Sequence, residues 1–165
     1  MKDIFLNNWE MLFEALGYTL LLTFFSLVCA FIIGLIFGIM SVVKVRVLNI
    51  ISTVYVDAIR GVPLIVLAYF TYFGIPMFIR SLGVSGFRLD ALTAGTIALS
   101  LNAGAYMAEI FRAGIQSVDV GQMEAARSLG LTYGGAMRYI VLPQAIRTMI
   151  PSIINQFIIS LKDTS

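Results

Sequence analysis

Charge is confined to the gaps between four long uncharged stretches of this chain. Ala15 to Val43 is 29 residues without a charge, Gly61 to Ile79 is 19, and Ala91 to Ala108 is 18. A helix of about 20 apolar residues crosses the hydrocarbon of a bilayer, so these stretches predict three transmembrane helices. The fourth, Thr148 to Leu161, is only 14 residues long. At 1.5 Å per residue it reaches about 21 Å, short of a hydrocarbon core of about 30 Å. The fourth helix is therefore expected to continue past Ser165, or the chain to be a fragment.

Local signals refine each stretch. Residues 1–14 carry Lys2, Asp3, Glu10, Glu14 and Trp9, a short amphipathic lead-in with an indole suited to the headgroup region. It is not a signal peptide, because the uncharged run that follows is far longer than a signal core. Gly34 and Gly38 form a G-x-x-x-G extended by Ala30, which is either a helix-packing seam or chance glycine in a membrane helix. Lys44 and Arg46 close helix one. Asn49 to Ile59 is amphipathic, with Asp57 and Arg60 at its end. Arg60-Gly61-Val62-Pro63-Leu64 is a place where a helix bends or breaks at the start of helix two. Arg80 to Asp90 is a loop containing Gly83 and Gly86. Asn102 lies near the middle of helix three, and Glu109 and Arg112 at its end are spaced to pair on one face.

The longest polar interruption lies between helices three and four. Asp119 is placed to N-cap a helix, with Gln122 three residues on; Gln122 to Leu129 are good helix formers; Gly130 stands where a left-handed C-cap is wanted. Thr132 is able to cap a second helix, and Pro143 fits poorly inside an undisturbed one. Ala125 and Ala126 are small enough to let a partner surface approach the backbone.

Composition supports the same class. The chain is 59% hydrophobic and 12% charged, against about a quarter charged for a soluble domain. There is no His and a single Cys, Cys29, which excludes Cys/His zinc sites, Cys/His nucleophile pairs and intrachain disulfides. No G-x-x-x-x-G-K-[ST] occurs, so any ATP that drives the process is bound by another subunit.

The polar interruption carries a recognisable pattern. Glu124-Ala125-Ala126, three residues, Gly130, nine residues, Ile140, one residue, then Leu142-Pro143 resembles the EAA loop of bacterial ABC importer permeases, with every spacing kept over 20 residues. Arg60-Gly61-Val62-Pro63-Leu64 resembles the R-G-T-P-L stretch of the polar amino-acid permeases within that group, with Val62 for the usual Thr and Leu67 at the position of a common Gln. Ala105-Tyr106, Glu109-Ile110 and Arg112 also resemble them. The resemblance implies an all-α integral membrane protein, a polytopic bundle of the type I ABC importer permease kind. Four transmembrane helices are present and a fifth, which relatives carry beyond K-D-T-S, is missing. It implies one permease domain over residues 1–165, with a cytoplasmic coupling loop over 113–143 that docks on an ATPase subunit through Glu124, Ala125, Ala126, Gly130, Ile140, Leu142 and Pro143. It further implies an extracytoplasmic amino-acid-binding protein, a second permease copy (identical or homologous), the bacterial plasma membrane, no cofactor, no nucleic acid, and no chemistry performed by the chain itself.

Charge placement gives the topology independently. Residues 44–60 and 112–147 carry seven Lys and Arg, and the remaining positions four, so the positive-inside rule puts the N-terminus outside and the EAA loop in the cytoplasm. For the route of the substrate, Ser152, Gln156 and Ser160 recur every fourth residue of helix four with Asn155 beside them. Polar side chains at membrane depth tend to face the bundle interior. They are expected to line the path opposite Leu67 and Asn102, unless they only hold the bundle together by hydrogen bonds. Two other classes compete. An ion-coupled secondary transporter would place charges at mid-membrane, and the reading of helices one to three leaves none near their centres. A purely structural membrane anchor would have no use for the EAA spacing.

Overall fold

The structure is a computed structural model and describes residues 8–164; Lys2 and Asp3 of the lead-in and Ser165 lie outside the described residues. Its elements are α1 (Trp9–Val42), α2 (Arg46–Arg60), α3 (Leu64–Tyr69), α4 (Ile75–Ser81), α5 (Ala91–Gln116), α6 (Val120–Ser128), α7 (Tyr133–Ala136) and α8 (Leu142–Thr164). A π-turn at Phe70–Gly74 joins α3 to α4, and another at Met137–Val141 joins α7 to α8. Both turns have one cause. A proline ring clashes with the carbonyl four residues earlier, and Pro76 and Pro143 each follow a π-turn by two residues, so the widened turn accepts the ring. The disturbance expected at Pro143 is this turn.

α1 inverts the pattern of a soluble helix. Its buried positions are Thr23, Ser26, Ala30, Gly34, Gly38 and Ser41, all small, while Phe24, Phe25, Ile32 and Ile36 point outward. With lipid as solvent, large apolar side chains gain nothing by turning inward, and small ones let backbones approach. α1 packs along α5 on that stripe. A Cβ on Gly38 would stand 2.7 Å from Phe111 Cβ, and one on Gly34 would overlap Met107. The G-x-x-x-G is therefore a packing seam. Phe31 meets Phe111 edge-on above it, with ring centroids 5.5 Å apart.

α5 is the central helix, packed against α1, α2, α3 and α8. It starts where Asp90 accepts hydrogen bonds from the Thr93 amide (2.9 Å) and hydroxyl (2.6 Å). Those bonds also hold the Asp90 carboxyl below the usual carboxylate range. Its far half meets α8 in a cluster of Met107, Phe111, Ala145 and Met149, with Met149 filling the space a side chain at Gly114 would need.

α2 packs beside α1 and α5: Ser52 Oγ donates to the Phe37 carbonyl (2.7 Å), Tyr55 Oη donates to the Leu101 carbonyl (2.8 Å), and the Tyr55 and Phe37 rings stack 4.0 Å apart. The polar face of the helix is turned inward, onto carbonyls of its neighbours. The break at Gly61–Pro63 consequently stands beside Asn102 and Tyr106, and Arg60 lies over the Tyr106 ring of α5. α8 begins before Arg147 and has 23 residues, about 34 Å, so the helix is longer than the uncharged run within it. By length and composition, Trp9–Val42 and Leu64–Ser81 are long and apolar enough to cross a membrane.

Candidate functional site: coupling loop and polar cavity

α6 is built by local hydrogen bonds that its sequence dictates. Asp119 caps it, its carboxylate accepting from the Gly121 amide (2.6 Å). Gln122 does not complete a reciprocal box: its side-chain oxygen accepts instead from Gln144 Nε2 (3.3 Å), across to α8. The helix stops at Gly130, whose φ of +87° only glycine adopts without strain. The Leu131 amide donates to the Ala126 carbonyl (3.2 Å) and the Gly130 amide to Arg127 (3.0 Å), the Schellman pattern. Thr132 Oγ1 then accepts from the Gly135 amide (3.2 Å) to start α7.

The seven residues of the EAA pattern do not form one surface. Glu124 and Ala125 are exposed, whereas Ala126 is buried beneath the helix, so only one of the two alanines is open to a partner. Gly130 is exposed at the turn. Ile140 and Leu142 are half-buried and Pro143 exposed, and all three sit in the helical run that continues from α7 through the π-turn into α8. The second helix, capped by Thr132, is thus continuous with the beginning of α8. Sequence reasoning missed the apolar tips of α6, Val120 at 71% and Leu129 at 86% exposure. A large apolar side chain on a polar loop was the available signal. The Lys44 amine lies 5.7 Å from the Tyr133 ring centroid, which holds the loop near the end of α1.

A cavity of about 500 Å³ opens where α2 breaks, lined among others by Arg60, Asn102, Tyr106, Gln156 and Asp163. Asn102 is 8% and Gln156 4% exposed, and neither makes a hydrogen bond to another described residue. The Arg60 guanidinium stands over the Tyr106 ring, 5.1 Å from its centroid. The predicted path residues divide. Asn102 and Gln156 come together here. Leu67 is buried but does not line this cavity, and its carbonyl accepts from Thr71 Oγ1 (2.6 Å). Ser160 is buried outside the lining of this cavity, and Thr164, one turn on, shares a hydrogen bond with Thr23 (2.7 Å). Ser152 and Asn155 are exposed. The sequence reading missed Arg60, Tyr106 and Asp163.

A second cavity, of about 340 Å³, lies on the other side of Arg60 and is also lined by Asp57, Glu109 and Arg112. Arg112 pairs with Glu109 through both guanidinium edges, Nε at 2.9 Å from Oε2, and its third nitrogen reaches Gln116 (2.6 Å). Glu109 lies past the end of the uncharged stretch, and the Arg112 hydrogen bond holds its carboxyl below the usual range. This is the pairing that the three-residue spacing predicts.

A helical bundle built on a small-residue seam, with a capped EAA helix at one end and a polar cavity at the break of α2, defines a transport permease. The chain belongs to the family of binding-protein-dependent transport system inner membrane components, which matches residues 30–165. It is a transport subunit of an ABC system and not an enzyme. The probable glutamine ABC transporter permease protein GlnM of Bacillus subtilis is 41% identical over 99% of this chain and 72% of its own length. The glutamine transport system permease protein GlnP of Escherichia coli K12 is 37% identical over 94% of this chain and 68% of its own length. Among solved structures, an amino acid ABC transporter crystallised with histidines superposes with a TM-score of 0.84 at 39% identity, covering 97% of this chain and 73% of that one. The MetNI methionine ABC transporter in inward-facing conformations superposes at 0.74 with 21% identity, over 94% of this chain and 72% of its own, and shares the fold.

Proposed function

We propose that this chain is the permease subunit of an ATP-driven importer of polar amino acids in a bacterial plasma membrane. It crosses the membrane four times with its N-terminus outside. A separate ATPase subunit docks on the EAA loop, an extracytoplasmic amino-acid-binding protein delivers substrate, and a second permease copy completes the pore. Relatives named as glutamine permeases support the substrate class.

One observation carries the coupling. α6 rests on the bundle through buried Ala126 and half-buried Met123 and leaves Val120, Glu124, Ala125 and Leu129 open. An apolar patch rimmed by charge on a loop is a surface for a protein partner. ATP-driven closure of the ATPase pair moves this helix. Because Gln122 touches Gln144 and α7 runs on into α8, the movement reaches α8 and with it Gln156 in the cavity. Asn102 and Gln156 line the substrate path. Co-purification with a tagged full-length chain tests the reading: an ATPase comes down with the wild type and is lost with Leu129→Asp. Retrieval of the permease without any ATPase contradicts it.

A further inference from the structure

We propose that the charged cavity between α2 and α5 is the open position of a two-position latch. When the two helices close, Asp57 of α2 takes Arg112 of α5 as its partner and Arg60 takes Glu109. This rests on the reading of the chain as a permease moved by a partner ATPase, and names a contact that changes as it moves. It is independent of the solute carried.

The directions of the helices bring the four charges together. Gly34 and Gly38 of α1 meet Met107 and Phe111 of α5 in the same order, so these two helices run parallel. The Ser41 and Phe37 carbonyls of α1 accept from Asn49 and Ser52 of α2 in the opposite order, so α2 runs antiparallel to both. Asp57 and Arg60 are an acid and a base one helical turn apart, and Glu109 and Arg112 repeat that order on α5. Antiparallel helices turn the second pair end for end, so acid faces base twice across the cavity of about 340 Å³ that all four line. A parallel arrangement would have set like charges against each other. Side chains lean toward the N-terminus of their helix, so the heads of the two sets also converge.

The charges are not paired across the cavity. Arg112 bonds to Glu109 on its own helix, whereas Asp57 and Arg60 form no ion pair with any described residue. Arg60 lies over the Tyr106 ring. An i, i+3 pair on one helix is a weak interaction. Closing the cavity exchanges that one pair for two, against the cost of taking four charges out of water. The opposing contributions leave the balance to whatever moves α5. Only residues 117–119 separate α5 from α6, so displacement of the docking helix is passed along α5 to Arg112.

The test uses the complete permease–ATPase complex in a Cys29→Ser background. Cysteines replace Thr53 and Gln116, which line the cavity and carry none of the four charges, so their disulfide yield reports how far it has closed. Under mild oxidation the yield is expected to change about threefold or more between the nucleotide-free complex and the complex trapped with ATP and vanadate. With Asp57→Asn the two states should give one yield. Equal yields without that substitution, or a nucleotide response that survives it, overturn the latch. Charge exchange then separates a latch from a merely structural Glu109–Arg112 pair. Asp57→Lys is expected to lower ATP-driven uptake of L-glutamine about tenfold or more, and Arg112→Asp added to it to restore most of the loss, because opposite charges again face each other. The intrahelical pair stays broken in the double variant, so uptake that remains low there contradicts the latch, as does normal uptake in Asp57→Lys. The disulfide measurement in Asp57→Asn covers the case in which Asp57→Lys does not assemble. Absence of ATP-driven uptake in the wild type contradicts the importer reading, whereas wild-type uptake with any of the failures above contradicts the latch alone.

Discussion

Gly38 of α1 and Phe111 of α5 are packed so closely that a single added carbon on the glycine would stand 2.7 Å from Phe111 Cβ. The backbones meet there because neither the lipid nor α1 offers a large side chain to separate them. Gly38→Leu, or Gly34→Leu one turn away, overpacks the seam and is expected to destabilise the bundle by at least about 2 kcal/mol. Thermal unfolding in detergent, with monodispersity on size exclusion, measures it. Gly17→Leu is the control, since nothing lies within 4 Å of a Cβ there. Equal stability of all three variants would mean the seam is not what joins α1 to α5.

The stop of α6 at Gly130 sets the direction in which α7 departs. Gly130→Val forces a β-branched residue to φ +87°, at a cost of about 1–2 kcal/mol or more. Glu124→Lys reverses a charge on the exposed face of the same helix. Both proteins should insert normally and lose uptake, with the ATPase either lost on purification or uncoupled from substrate. Wild-type uptake in both would make the EAA match accidental.

Gln156 is buried in the cavity wall opposite Asn102, so Gln156→Leu removes an amide from the path without disturbing α6. Transport rate or substrate preference should change while the ATPase still co-purifies. If assembly fails, or transport of every substrate is unchanged, Gln156 serves packing.

The orientation is testable with single cysteines at Lys2, Arg46 and Gln122 in a Cys29→Ser background. A membrane-impermeant thiol reagent applied to intact cells should label position 2 alone. Labelling of position 122 from outside would remove both the topology and the docking of α6 on a cytoplasmic ATPase.

What the sequence made legible was local. The caps at Asp119 and Thr132 and the left-handed stop at Gly130 depend on a few adjacent residues, and so did the Glu109–Arg112 pair. The seam of α1 was visible as small residues at helical spacing, although only packing against Met107 and Phe111 shows that the glycines are used. The place of Arg60 beside Tyr106 was not legible, because it depends on α2 packing against α1 and α5, a tertiary fact held by Ser52 and Tyr55 bonding to neighbouring carbonyls. The polar residues of α8 divide for a geometric reason. Residues four apart drift by about 40° around a helix of 3.6 residues per turn, so Ser152 and Ser160 stand about 80° apart. Gln156 reaches the cavity, Ser160 is buried outside its lining, and Ser152 is exposed.

The central claim is that this permease is driven by ATP through a partner. The complete complex in sealed proteoliposomes, with ATP enclosed and the binding protein outside, decides it by uptake of labelled L-glutamine. Uptake should require both ATP and the binding protein and should survive an uncoupler that collapses ion gradients. Uptake that persists without ATP and vanishes with the uncoupler would contradict the account and make the chain part of an ion-coupled transporter.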